Sequence, residues 1–194
     1  MKPHAWIAVL MLSSTAMPVM AGNDADLIKG VRTNALFGAL PKEVAGFSIG
    51  ESRSDPNRHT IRARYEHEDG QAAAAVNIRA VRAQGKVVEL PDGPESVSVG
   101  VKGIIKHHDK QKGSNAEGIE LDEANGGPMN CVKVTRDDKA MVRLVCRTAV
   151  HGRMIESQSD SRVDNGNETE ALALLETFTQ EMFSAVRQID RRDR

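Results

Sequence analysis

Residues 58–82, from Arg58-His59-Thr60-Ile61 to Ile78-Arg79-Ala80-Val81-Arg82, contain two alternating segments joined by Asp69-Gly70. Asp-Gly between alternating runs predicts a β-hairpin, because a tight turn that matches strand twist needs positive φ at its central residues. A two-residue loop sets Glu68 opposite Gln71. Counting outward then places Tyr65 opposite Ala74, Ala63 opposite Val76 and Ile61 opposite Ile78, an apolar face. The other face sets Arg64 opposite Ala75, Arg62 opposite Asn77 and Thr60 opposite Arg79, with Arg58 and Arg82 near the open end. Side chains alternate with period two, so a slip of one residue would bury the arginines and expose Ile61; the pattern selects its own register. Ala72–Ala75 favour helix by propensity alone. The turn and the alternation from Val76 onward oppose that alternative.

The chain opens with Lys2 in a charged start, runs through the small, mostly apolar stretch Ala5–Met17, and reaches Val19-Met20-Ala21 with small or aliphatic residues where a signal peptidase requires them. Residues 1–21 therefore read as a secretory signal peptide, with Gly22 as the mature start and the periplasm as the address. Ser13, Ser14, Thr15 and Pro18 interrupt the run, and a retained membrane helix needs about 20 apolar residues. No later segment suits a membrane span. Cleavage removes Lys2 alone among the charged residues, leaving 25 basic and 27 acidic, a net of −2 with His neutral. That balance argues against general nucleic-acid binding, which requires a clearly basic domain. The remaining 173 of 194 residues make one domain, 22–194, with a core of useful size. An even cysteine count in an exported chain reads as one disulfide, Cys131–Cys146, two free buried thiols being the alternative.

Taken in order, the mature chain predicts a helix over 24–37, with Asp24 as its cap and Leu27, Val31 and Ala35 on one face, beside Ile28 and Leu36. Val44–Gly50 enters a first strand, and Asp55-Pro56-Asn57 closes it. After the hairpin, Leu90–Pro94 breaks the sheet. Val97, Val101, Ile104, Ile105 and His108 then recur at helical spacing over 94–110, where Gly100 and Gly103 suit close approach to a sheet. Residues 113–115 read as a loop. Ile119-Glu120-Leu121, the turn 125–128, Cys131–Arg136, Met141–Val150, the turn His151-Gly152 and Arg153–Ser159 form a four-stranded meander. A four-residue loop at 137–140 sets Cys131 opposite Cys146, and closing so short a loop contributes roughly 3 kcal/mol in the chain-entropy model. The same register places Lys133 beside Cys131, with Val142 and Leu144 on that face. Which face of this strand is core stays open. The C-terminal helix, 168–190, carries the stripe Leu172, Leu175, Thr179, Met182, Val186 and Ile189, widened by Phe178 and Phe183, with Asn167 as cap. Arg191–Arg194 form a frayed tail. The fold class is α+β: one antiparallel sheet of about seven strands, covered by N-terminal, middle and C-terminal helices.

Candidate chemistry is sparse. Gly46-Phe47-Ser48-Ile49-Gly50 matches the spacing of a serine nucleophile elbow, yet an elbow needs a strand-to-helix turn and downstream acid and histidine. Here polar residues and a turn follow Ser48. His107 and His108 are helix neighbours about 100° apart and do not converge on one metal ion. No glycine-rich phosphate loop or calcium-loop spacing is present, and no cofactor is expected. What remains is the basic hairpin face, Arg62, Arg64 and Arg79, whose planar guanidinium forks suit an acidic partner; a solvated sheet face is the alternative.

The order helix, three strands, helix, four strands, long helix resembles the layout of the PsbP and Mog1 group, which implies an antiparallel sheet between helices. The leader ending at Ala21, the single Cys131 and Cys146 pair and a compact domain lacking a catalytic constellation resemble small periplasmic immunity proteins, which neutralise effectors of antibacterial secretion systems. That resemblance implies a non-enzymatic protein whose partner is a toxic effector, and it transfers no residue. A carrier of a small envelope ligand, held between the sheet and helix 94–110, is the second expectation. An enzyme is the third.

Overall fold

The computed structural model describes residues 26–189 except 109, 111–112, 122–127, 137, 139 and 164–165. The signal peptide, the Asp24 cap, most of the 125–128 turn and the tail beyond 189 lie outside the described residues. In chain order the elements are β1 (Leu27–Ile28), β2 (Val31–Arg32), α1 (Thr33–Gly38), β3 (Glu43–Val44), β4 (Phe47–Asp55), β5 (Thr60–His67), β6 (Ala72–Arg79), β7 (Val81–Ala83), β8 (Lys86–Val88), α2 (Ser98–His108), β9 (Ser114–Leu121), β10 (Met129–Arg136), β11 (Met141–Val150), β12 (Arg153–Arg162) and α3 (Glu168–Arg187). Eight strands form one antiparallel sheet in the order β3-β4-β5-β6-β12-β11-β10-β9, and β1-β2 and β7-β8 are separate two-stranded ribbons. The fold is α+β.

The β5–β6 ladder has the expected register, with Ile61 opposite Ile78, Ala63 opposite Val76, Tyr65 opposite Ala74 and Arg62 opposite Asn77. Its turn differs from expectation. Gly70 N donates to His67 O at 2.9 Å, the Asp69 carboxylate accepts from Gln71 N at 2.7 Å, and of the Asp69-Gly70 pair Gly70 alone has positive φ. The loop is longer but symmetric about the same centre, so the register survives.

Three other expectations are corrected. The helix expected over 24–37 is not formed over residues 27–32: Lys29 and Gly30, at φ 48° and 77°, turn the chain sharply into the β1-β2 ribbon. The helix starts only at Thr33, whose N donates to Asp26 Oδ1 at 3.1 Å. The expected first strand is split by Ala45-Gly46, both at positive φ, into β3 and β4. This split accounts for eight strands where about seven were expected. Ser114 and Asn115, read as loop, begin β9.

α3 covers one face, called inner here. Asn167 caps it, its side chain accepting from Glu170 N. Leu175, Phe178, Met182, Phe183 and Val186 pack on Ile61, Tyr65, Val76, Leu144, Cys146 and Ile155. Phe178 meets the rings of Phe47 and Tyr65 at centroid distances of 4.6 and 5.3 Å. Tyr65 donates its hydroxyl to Pro41 O at 3.0 Å, and burial pushes its pKa up to about 12.

The question of which face of β10 is core has a two-sided answer. Met129 and Cys131 join the inner core, while Val132 and Val134 pack outward against Val101, Ile104 and Ile105 of α2. Lys133 stays on the inner side at the margin, bonded to Glu117 at 2.7 Å and Glu168 at 3.2 Å. These bonds, the one to Glu117 foremost, raise its pKa. Cys131 and Cys146 are bonded directly across β10–β11, their Cα atoms 4.0 Å apart. The expected close approach of α2 holds at Gly100, where a Cβ would come within 2.5 Å of Arg147 Nη1, and not at Gly103, which has open space.

The ribbon β1-β2 is held by a fully buried arginine. Arg153, 0% exposed, donates to the carbonyls of Ile28, His151, Asp26 and Val31 and to Thr33 Oγ1, at 3.0 to 3.4 Å. Burial lowers its pKa to about 10, still charged at neutral pH. Beside it lies buried His59, its Nδ1 3.9 Å from Asp26 Oδ1.

Two stability outcomes follow. Arg153→Met leaves several buried carbonyls without donors, and we expect a loss of about 3 kcal/mol, read as a lower urea midpoint at unchanged slope; a loss below about 0.5 kcal/mol would contradict the clamp. Burial, followed by the Arg153 charge, lowers the pKa of His59. The unfolded chain then binds the extra proton first, so His59 diminishes stability as pH falls through about 6.5. In paired urea titrations from pH 8 to 5, His59→Gln is expected to show a shallower acid loss than the parent.

Candidate partner-binding face

The face opposite α3 is built by the alternation of the same strands. On β5 the outward residues are Thr60, Arg62, Arg64 and Glu66, and on β6 they are Ala73, Ala75, Asn77 and Arg79. Their neighbours on β12 are Glu156, Gln158 and Asp160. Across the next ladder stand Arg147, Val145 and Arg143 of β11. α2 lies over β9 and β10 on this side, and residues 90–97 lie over Ala149 and Met154. The β4–β6 part of the face carries no helix among the described residues.

β4 contributes through an irregularity. Ile49 faces Tyr65 but Ser52 faces Ala63, so one extra residue is inserted at Gly50-Glu51. Such a bulge shifts the alternation by one. As a result Arg53 sits directly opposite Arg62 and both are exposed. Glu51 reaches Arg64, Oε2 to Nη1 3.5 Å, with side chains 70% and 76% exposed. Among the described residues no carboxylate lies within ion-pair distance of Arg53 or Arg62. Glu51, Arg53, Arg62, Arg64, Ala75 and Asn77 line a shallow hollow of about 240 Å³.

Of the three arginines expected at the site, Arg62 and Arg64 line this hollow. Arg79 is exposed on the same face, paired with Thr60 and Met154, but lies outside the hollow. Arg58 and Arg82 are elsewhere, near Asp55 at 3.6 Å and donating to Gly85 O at 3.2 Å. Sequence reasoning missed Arg53 and Glu51, because the apolar alternation of β4 stops at Ile49 and nothing in its residue types announces the bulge. It also missed the ion pairs Arg143–Asp160, at 2.5 Å, and Arg147–Glu156. A signal for those was present: the His151-Gly152 turn alone sets both pairs opposite each other.

A second hollow, of about 320 Å³, lies between α2 and the sheet, lined by Gly100, Ile104, His107, Arg143, Arg147 and Gln158 among others. Rungs Asn77–Glu156 and Ala75–Gln158 connect the two hollows across adjacent strands. The rings of His107 and His108 lie edge to face at 5.4 Å. Among the described residues no three His, Cys, Asp or Glu side chains converge as metal ligands. Ser48 is exposed on β4, a strand that runs on from the Ala45-Gly46 hairpin turn, opposite Glu66. No described helix is long and apolar enough to cross a membrane.

No protein-family model matches the chain, and no curated protein matches it in sequence. The geometry of the face therefore carries the functional argument alone. Like charges directly opposed across strands destabilise a sheet. Arg62→Gln is accordingly expected to raise stability by about 0.3 kcal/mol at low salt, with the gain vanishing near 1 M salt, where screening is nearly complete. Urea midpoints at both salt concentrations test this, and a salt-independent loss would contradict it.

Proposed function

We propose that this protein is a non-enzymatic periplasmic binding protein, most concretely an immunity protein that neutralises a periplasm-acting antibacterial effector. One observation supports it above all: Arg53, Arg62 and Arg64 are exposed together around one hollow, on a stretch of sheet without a covering helix among the described residues, and Glu51 is in contact with Arg64 alone. Guanidinium groups form two parallel bonds to a carboxylate, so this patch suits an acidic surface on the effector. Its charge steers the encounter, and seating on an eight-stranded sheet places the arginines on a rigid support. The disulfide fits an oxidising compartment, as the leader-like residues 1–21 do.

A second reading is a carrier of a small envelope ligand. The hollow between α2 and the sheet supports it, at about 320 Å³ within the lower range of small-molecule sites. Native mass spectrometry of the purified protein separates the two: a stoichiometric small ligand favours the carrier.

The protein-binding reading is tested by capture. Mature, disulfide-intact protein used as bait against envelope and secreted proteins of its own bacterium is expected to retain one stoichiometric partner with toxic activity. Arg62→Glu/Arg64→Glu bait is expected to lose at least tenfold in affinity. A bait that retains nothing, or whose charge-reversed form binds equally well, would contradict the proposal.

A further inference from the structure

The bulge in β4 determines what the arginine face can recognise. Without the inserted residue, Ser52 would stand opposite Arg62 and Arg53 would turn toward the inner face. With it, Arg53 and Arg62 are opposed on the outer face, and Glu51 is delivered beside Arg64. Three guanidinium groups thus line one hollow together with the small Ala75 and the polar Asn77. The arrangement has unrelieved repulsion between Arg53 and Arg62, which an incoming anion would relieve. Among the described residues the anion lining the hollow is the Glu51 carboxylate, and its 3.5 Å contact with Arg64, between two exposed side chains, is weak.

We propose that Arg53, Arg62 and Arg64 form a carboxylate-binding subsite for an acidic segment of a protein partner, with Glu51 holding Arg64 in the free protein. This rests on the reading that the face binds a protein and specifies what it binds. Charge complementarity identifies the occupant: three exposed cations against one carboxylate leave room for two more acidic groups. Asn77, which also lines the hollow, offers an amide donor to the same segment. Glu51 acts as an internal competitor, because an incoming carboxylate must displace it to use both edges of Arg64.

The subsite is tested by NMR titration of the mature protein with a blocked tetraglutamate peptide. Tetraglutamine and inorganic phosphate serve as comparison probes. Tetraglutamate is expected to shift the guanidinium Nε–Hε signals of Arg53, Arg62 and Arg64 saturably, and tetraglutamine is expected to leave them unmoved. Arg53→Gln should weaken binding at least fivefold. Arg53→Lys, which keeps the charge and loses the fork, should weaken it partly, and Glu51→Gln should tighten it severalfold. Equal binding by Arg53→Gln, no tightening in Glu51→Gln, or phosphate binding as strongly as tetraglutamate would each overturn the subsite. Peptide binding in a protein that captures no partner would uphold the subsite while the immunity reading fails. A captured partner indifferent to Arg53→Gln would overturn the subsite and leave protein binding intact.

Discussion

Eight rungs between β6 and β12, from Arg79 opposite Met154 to Ala72 opposite Ser161, join the N-terminal hairpin to the C-terminal meander. Without them the chain has two small sheets, neither wide enough to carry α3. Three of the four inner rungs along this seam pair alanine or valine with serine, Ala72 with Ser161, Ala74 with Ser159 and Val76 with Ser157, and the fourth pairs Ile78 with Ile155. α3 adds Phe178, Met182 and Phe183 to the same inner core. The buried hydroxyls are accommodated in place, Ser157 against Thr179 at 3.4 Å and Ser159 donating to Leu144 O at 3.4 Å. A buried hydroxyl without a partner would penalise this packing, so the seam needs both small size and hydrogen bonds.

Once the inner face is committed to α3, period-two alternation assigns everything else to the outer face. There the sheet divides. Over β9 and β10 the apolar outward residues Val132 and Val134 require a cover, and α2 supplies it. Over β5 and β6 the outward residues are arginines, alanines, Thr60, Glu66 and Asn77, which need none. The exposed basic face is therefore a consequence of which strands the helices must cover. Arg153 shows the opposite treatment of the same residue type: buried, it is surrounded by carbonyl acceptors and anchors the β1-β2 ribbon, whereas Arg53 and Arg62 remain hydrated.

Features governed by local pattern were readable in the residues. The β5–β6 register followed from alternation, the Cys131–Cys146 pairing from loop length, and the α3 cap and stripe from helical spacing. Features governed by backbone conformation or distant pairing were not. Leu27, Ile28 and Val31 have spacing that suits a helix as well as a ribbon, and only the left-handed Lys29-Gly30 turn and the Arg153 clamp decide between them. The bulge at Gly50-Glu51 reverses the direction of Arg53 without any change of residue type. The hollow was thus half legible: Arg62 and Arg64 were visible from the hairpin, while Arg53 and Glu51 needed three dimensions. Arg79 lies on the same face outside the hollow.

The proposed face sets Arg53, Arg62 and Arg64 against the partner. Arginine-directed labelling with phenylglyoxal, quantified residue by residue in the free protein and in the protein bound to its captured partner, tests this directly. Protection of Arg53, Arg62 and Arg64 on binding, with exposed Arg136 labelled at an unchanged rate, is expected. Unchanged labelling of those three arginines, with protection appearing elsewhere on the surface, would contradict it.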